Sequence, residues 1–166
     1  MYDELTKVDI KKIEEEIAYR SGPLARELGA ELKRTREFGD LSENAEYKEA
    51  KRAKRKNESR IRYLENMIRT AKVIEIKDLG GVSLFDKVTL LNEKNGAEKT
   101  IQIVTTLRQN ALLGFVSKES PLGRAVMGKK AGERALVEVS DTMKYYVKIL
   151  KIEKGEDNTE LPISEY

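Results

Sequence analysis

The sequence predicts an α+β chain: an N-terminal antiparallel α-helical hairpin of the coiled-coil kind, then a small antiparallel sheet domain with one short helix. Three observations lead there. Apolar residues recur at spacings of three, four or seven through the first part of the chain, which lays one stripe along a helix. The second part carries short runs rich in Val, Ile, Leu and Tyr, with Asn95-Gly96 between two of them, the mark of strands joined by a tight turn. Charge also divides the chain. Residues 1–75 hold 18 basic and 16 acidic side chains and residues 76–166 hold 14 and 13, so the first unit needs more solvated surface per residue. The boundary falls near Val73 to Asp78.

In the first unit, residues 1–75, one helical stripe runs through Ile10, Ile13, Ile17, Leu24, Leu28 and Leu32. A second runs through Ala50, Ala53, Ile61, Leu64, Ile68 and Ala71. Phe38-Gly39-Asp40-Leu41-Ser42 between them is the turn. At about 1.5 Å rise per residue, some 30 residues make an arm of roughly 45 Å. The core thins toward the turn, where alanines and Asn57 replace larger aliphatics. Ser21-Gly22-Pro23 predicts a kink or short break in the first helix, because Pro23 lacks an amide hydrogen and crowds the preceding turn.

The second unit, residues 76–154, reads as strands at Lys87–Leu91, Lys99–Val104, Ala111–Val116, Arg134–Val139 and Tyr145–Ile152. Between the third and fourth, Ser120 as N-cap, Pro121 in the first turn and Gly128 as terminator predict a short helix. Residues 155–166, polar with one proline, read as a loose tail.

Composition excludes several chemistries. The 166 residues include no His and no Cys, which removes the usual zinc ligands, thiol nucleophiles, disulfides and imidazole-dependent triads. Apolar runs are too short to span a bilayer, and MYDELTKVDI has no signal-peptide core. The expectation is a cytoplasmic protein with no membrane partner.

The most informative stretch is Gly39-Asp40-Leu41-Ser42-Glu43-Asn44-Ala45-Glu46-Tyr47, three carboxylates at the end of an otherwise basic arm. If Glu43 opens the second helix, Asp40 and Glu43 can point toward a common point and share a hard dication such as Mg²⁺. Asp40 as N-cap with Glu43 three residues on also fits a capping box. Spacing leaves both readings open. Behind the tip, Lys48 to Arg62 holds eight basic and two acidic residues, which suits phosphate contact. A solvated helix neutralised by Glu27, Glu31 and Glu37 of the partner helix fits equally. Tyr47 either stacks on a base or closes the last core layer.

The run GDLSENAEY at a helical turn, followed by a sheet domain bearing SPLGRAVMGKKAGE, resembles the Gre family of bacterial transcript cleavage factors over residues 4 to 153. The resemblance implies an FKBP-like second domain and an arm that enters the secondary channel of RNA polymerase to promote hydrolysis of backtracked RNA. It implies a cofactor of the polymerase's own endonucleolytic activity rather than an enzyme, acting as a monomer. Position by position, the metal-directing pair falls on Asp40 and Glu43, for a Mg²⁺ completed by the polymerase and not held tightly by the free protein. Asn44, Glu46 and Tyr47 match the supporting residues of the tip. Lys51 matches a basic position implicated in contact with the RNA 3′ end, with Arg52 and Arg55 beside it, and relatives often carry Arg where this chain has Lys51. Ser120 and Pro121 match the loop that docks at the channel rim.

Three rival functions follow from the same features. A non-cleaving relative would occupy the same channel and inhibit. A prolyl isomerase would need an aromatic cage that Phe85, Phe115, Tyr145 and Tyr146 supply poorly. A free-standing nucleic-acid binder is disfavoured by a net charge of only +3 with acids at the leading end.

Overall fold

The computed structural model describes residues 4–37, 39, 44–157 and 162–163. Two compact units emerge, one of residues Ile10–Ala71 and one made of the preceding segment together with Lys72 onward. The α+β class is the one expected. Among the described residues no helix is long and apolar enough to cross a membrane.

The first unit is a helical hairpin. Helices α1 (Lys7–Ser21) and α2 (Pro23–Arg36) form one side and α3 (Ala45–Thr70) the other. The expected break lies at Gly22, whose φ of −103° and ψ of −100° are not helical, and Pro23 opens α2. Buried residues of α3 are Ala50, Asn57, Arg60, Leu64 and Met67. With half-buried Ala53 and Ala71 they alternate three and four apart, the seam of a coiled coil. This corrects the reading from apolar residues alone: Ile61 and Ile68 flank the seam, and Arg60 and Met67 occupy it.

Polar residues in that seam are held by a cluster at the break. Asn57 Nδ2 donates to the carbonyl of Arg20 at 2.9 Å, and Asn57 Oδ1 accepts from Arg20 Nη1 at 3.2 Å. Glu16 Oε1 accepts from Arg20 Nε at 2.7 Å and Arg60 Nε at 2.9 Å. Burial acts to raise the Glu16 pKa, but the hydrogen bonds and charges of Arg60 and Arg20 outweigh it and hold the carboxyl below its ordinary value. A buried polar layer of this kind fixes register, because sliding one helix past the other would leave these groups unpaired.

In the second unit β3 (Lys87–Asn92), β4 (Glu98–Val104), β5 (Phe115–Ser117), β6 (Arg134–Glu138) and β7 (Lys144–Glu153) form a sheet of order β5-β4-β3-β7-β6. The sheet is mixed, since β4 and β5 run parallel while the other pairs are antiparallel. The β3–β4 turn uses Asn95-Gly96 as expected, with Gly96 at φ 70°. The strand expected over Ala111–Val116 is instead a 3₁₀ turn, Ala111–Leu113, followed by the short β5. Leu112 and Leu113, 97% and 65% exposed, leave that turn with nothing to bury, and Gly114 at φ 80° ends it. Helix α4 (Pro121–Val126) covers the core of Val82, Phe85, Val88, Ile101, Ile103, Val126, Val137 and Ile149. A Cβ on Gly123 would strike the Ser117 carbonyl, so only glycine lets α4 approach β5 this closely.

Two further features were not legible beforehand. Glu4–Leu5 (β1) and Lys72–Val73 (β2) pair in parallel as a separate two-stranded sheet, and Lys118 pairs with Glu4. Directly after β7, Lys154, Gly155 and Asp157 are fastened down, at the start of the stretch that composition reads as a loose tail. Lys154 Nζ donates to Asp86 Oδ2 at 3.0 Å, Gly155 N donates to Asp86 Oδ1 at 3.1 Å, and Asp157 Oδ1 lies 2.5 Å from Arg108 Nη2. Arg108 is fully buried, donates from Nε to Asp9 Oδ1 at 2.6 Å and lies over the Phe85 ring. Asp9 Oδ2 also accepts from Thr6 N, and Thr6 Oγ1 accepts from Asp9 N, a capping box at the start of α1.

Candidate functional site

The end of the hairpin begins with the last turn of α2. Thr35 continues the stripe of Leu24, Leu28 and Leu32 and is fully buried, with its hydroxyl donating to Leu32 O at 3.0 Å. Gly39 takes φ 93°, the left-handed conformation that glycine adopts without steric cost. Helix α3 then opens at Ala45 with Asn44 as its N-cap, and Asn44 Oδ1 accepts from Tyr47 N at 3.0 Å. The cap of α3 is therefore Asn44 and not Asp40, which corrects the capping-box alternative. Asp40 and Glu43 lie outside the described residues.

Several contacts tie the two helices together behind this turn. Asn44 Nδ2 donates to Thr35 O at 2.8 Å. Arg34 Nη2 lies 3.6 Å from Glu46 Oε2 and 2.7 Å from Glu31 Oε1. The Glu31 hydrogen bonds raise the Arg34 pKa, and that with Arg34 lowers the pKa of Glu31. The half-buried Tyr47 ring has Lys51 Nζ 5.3 Å from its centroid and Arg36 Cζ at 5.9 Å, within cation–π range. Tyr47 thus packs against this end of the hairpin with cations from both helices. Sequence reasoning overlooked Arg34, Thr35 and Arg36; the three-residue step from Leu32 to Thr35 was the available signal.

Along α3, Lys48, Arg52, Arg55, Ser59 and Arg62 are all exposed at spacings of four and three, one stripe on the face opposite the seam. It extends about 21 Å at 1.5 Å per residue. Arg52 pairs with Glu49 at 2.9 Å, whereas Lys48, Arg55 and Arg62 have no carboxylate partner among the described residues. Neutralisation by the partner helix is not what these residues show: Glu31 pairs with Arg34 of its own helix, and no described ion pair joins Glu27 or Glu37 to α3. Lys51, Arg52 and Arg55 differ in setting, with Lys51 over Tyr47, Arg52 paired with Glu49 and Arg55 open to solvent.

In the second unit Ser120 caps α4. Its hydroxyl accepts from Gly123 N at 3.0 Å and donates to Ser117 O at 2.7 Å, so the side chain is occupied with holding the loop. Pro121 beside it is exposed.

A helical hairpin of this build, with the sheet unit after it, is matched by two family models. Residues 4–73 match the N-terminal model described as "Transcription elongation factor, N-terminal", and residues 77–154 match "Transcription elongation factor, GreA/GreB, C-term". The chain belongs to the GreA/GreB family of transcription elongation factors. Among its curated relatives, transcription elongation factor GreA of Thermosipho africanus is 39% identical over 149 residues, covering 89% of this chain and 96% of that protein. GreA of Thermoanaerobacter pseudethanolicus is 40% identical over 152 residues, covering 90% and 96%. A solved structure of GreA factor homolog 1 of Thermus thermophilus aligns over 93% of this chain and 100% of that one, at 22% identity and a TM-score of 0.43.

The sequence raised the turn between α2 and α3 as a place for a cation. Among the described residues no group of three or more acidic side chains is placed to hold a metal, and Glu46 faces Arg34. The donors this chain can bring to a hard dication there are the carboxylates of Asp40 and Glu43. Two carboxylates fit Mg²⁺ only with other oxygens completing an octahedral shell.

Proposed function

We propose that this GreA/GreB family member binds bacterial RNA polymerase, inserts its helical hairpin into the secondary channel and stimulates cleavage of the backtracked RNA 3′ end. Arrested complexes are thereby rescued. The observation that carries this reading is the combination, within the N-terminal family match, of the Asp40/Glu43 turn and a row of exposed cations directly behind it.

Each part of the chain has a task in this scheme. The seam, locked by Glu16, Arg20, Asn57 and Arg60, keeps the arm in register. Asp40 and Glu43 present anionic oxygens to a Mg²⁺ shared with the polymerase. The chemistry such an ion would supply, held by Asp40, Glu43 and the polymerase, is activation of water and shielding of charge on the phosphodiester. Lys48, Lys51, Arg52 and Arg55 offer cations to the RNA phosphates, an attraction that weakens as salt rises. Pro121, presented by the Ser120 cap, offers an apolar contact to the channel rim. The chain supplies ligands and charge, and the polymerase supplies the site of bond cleavage.

The test uses a stalled, backtracked complex of purified polymerase. Wild-type protein is expected to shorten the RNA, and Asp40→Asn or Glu43→Gln to bind the polymerase normally without doing so. A wild-type protein that binds and inhibits without cleavage would replace this reading with that of a channel blocker.

A further inference from the structure

Resting on the function proposed above, we infer that Asn44 is a positioning residue for the acidic turn, a staple between the two helices as well as a helix cap. Capping requires only an acceptor, which Asn44 Oδ1 supplies to Tyr47 N at 3.0 Å. The other half of the same amide is used differently. Its Nδ2 donates at 2.8 Å to the carbonyl of Thr35, in the last turn of α2, where the backbone donor within reach is the cap N–H of Glu37, shared with the Arg34 carbonyl.

One planar side chain therefore holds the end of α2 and the start of α3 at a fixed separation. The segment it closes, residues 36–43, contains both Asp40 and Glu43. Pinning the ends of a short loop removes much of its conformational freedom, and Thr35 is itself anchored by full burial. The Arg34–Glu46 pair and the Arg36 guanidinium over Tyr47 act across the same gap from exposed or half-exposed positions, so they fasten it less firmly than the part-buried amide. A ligand pair that must meet a cation held mainly by another protein gains from such a staple, since small misplacements at a reacting centre cost up to about a hundredfold in rate.

The two halves of the amide can be separated by mutation. Asn44→Ser keeps a cap acceptor for Tyr47 N, since Ser caps about as well as Asn, but is too short to reach Thr35. Asn44→Asp also keeps the cap, and turns a carboxylate oxygen toward the Thr35 carbonyl. A residue that merely capped α3 would tolerate both changes. As a staple, both variants are expected to melt within a few degrees of wild type and to bind polymerase within about twofold. Stimulated cleavage at saturating factor is expected to fall roughly 10- to 100-fold, with a raised Mg²⁺ requirement. In the free protein, hydrogen exchange at the amides of Lys33–Glu37 is expected to quicken several-fold while that of Tyr47 stays protected. Unchanged exchange at Lys33–Glu37 overturns the staple whatever the polymerase does. Accelerated exchange with wild-type cleavage and Mg²⁺ requirement overturns its positioning role. Failure of wild type and Asp40→Asn to differ in cleavage, with exchange still accelerated, would instead sink the proposed function and with it that role, leaving the staple itself standing.

Discussion

Glu16 offers a direct test of the polar seam. In Glu16→Gln the charge that answers both Arg20 and Arg60 disappears: the amide oxygen can still accept from both Nε groups, now 2.7 and 2.9 Å from Oε1, but without an anion to strengthen either bond, and an NH2 replaces the oxygen that accepts from Arg60 Nη2 at 3.4 Å. Charged hydrogen bonds contribute about 1.5–3 kcal/mol each and neutral ones about 0.5–1.5. Arg60, 6% exposed, keeps its charge with less to balance it. The hairpin should therefore lose roughly 2–4 kcal/mol at pH 7. Acid should imitate the mutation. The Glu16 pKa is depressed in the folded state, so its contribution is full above the unfolded value of about 4.3 and is lost as pH falls through the folded value. Urea denaturation followed by helical circular dichroism, at pH 7 and again near pH 3, measures both effects. The gap between wild type and variant should be wide at pH 7 and narrow in acid. A gap that is absent at pH 7, or equally wide in acid, would refute the argument that the Glu16 charge binds the seam together.

Further predictions concern the second unit and the tip. Asp9→Ala should cost about 3–5 kcal/mol in urea denaturation, because it strands the fully buried Arg108 with one fewer counter-charge; a loss under 1 kcal/mol would show that Asp157 suffices alone. Gly155→Ala should destabilise by about 1–3 kcal/mol, since the added Cβ would collide with the Phe85 carbonyl, and limited proteolysis should then cut after β7 sooner than in wild type. Isothermal titration of the free protein with Mg²⁺ should reveal no tight site, since two carboxylates leave most of the shell open; micromolar binding would contradict the shared-ion scheme.

Much of this architecture is legible in the sequence because it is written in local signals. Pro23 breaks the first helix, Asn95-Gly96 turns the hairpin, and Ser120-Pro121 opens α4, each through backbone chemistry within a few residues. What could not be read depends on partners far along the chain. Asn57 is legible as a thin place in the core, but Arg60 looks like a surface residue until Glu16, some forty residues earlier, is placed opposite it. Arg108 carries no local sign of burial, since its partners are Asp9 and Asp157. The two-residue strands β1 and β2 are too short to show a period, and Leu112-Leu113 mimic a strand although both side chains face solvent. At the tip, the sequence singled out the acidic turn but offered Asp40 as the cap of α3. Asn44 fills that place because it also reaches Thr35 on the opposite helix.

The account as a whole is tested most directly by adding this protein to a backtracked elongation complex and following the length of the RNA over time. It predicts rapid Mg²⁺-dependent shortening with wild type, and binding without shortening for Asp40→Asn. Equal shortening by both proteins, or none by either while the hairpin remains bound, would contradict it.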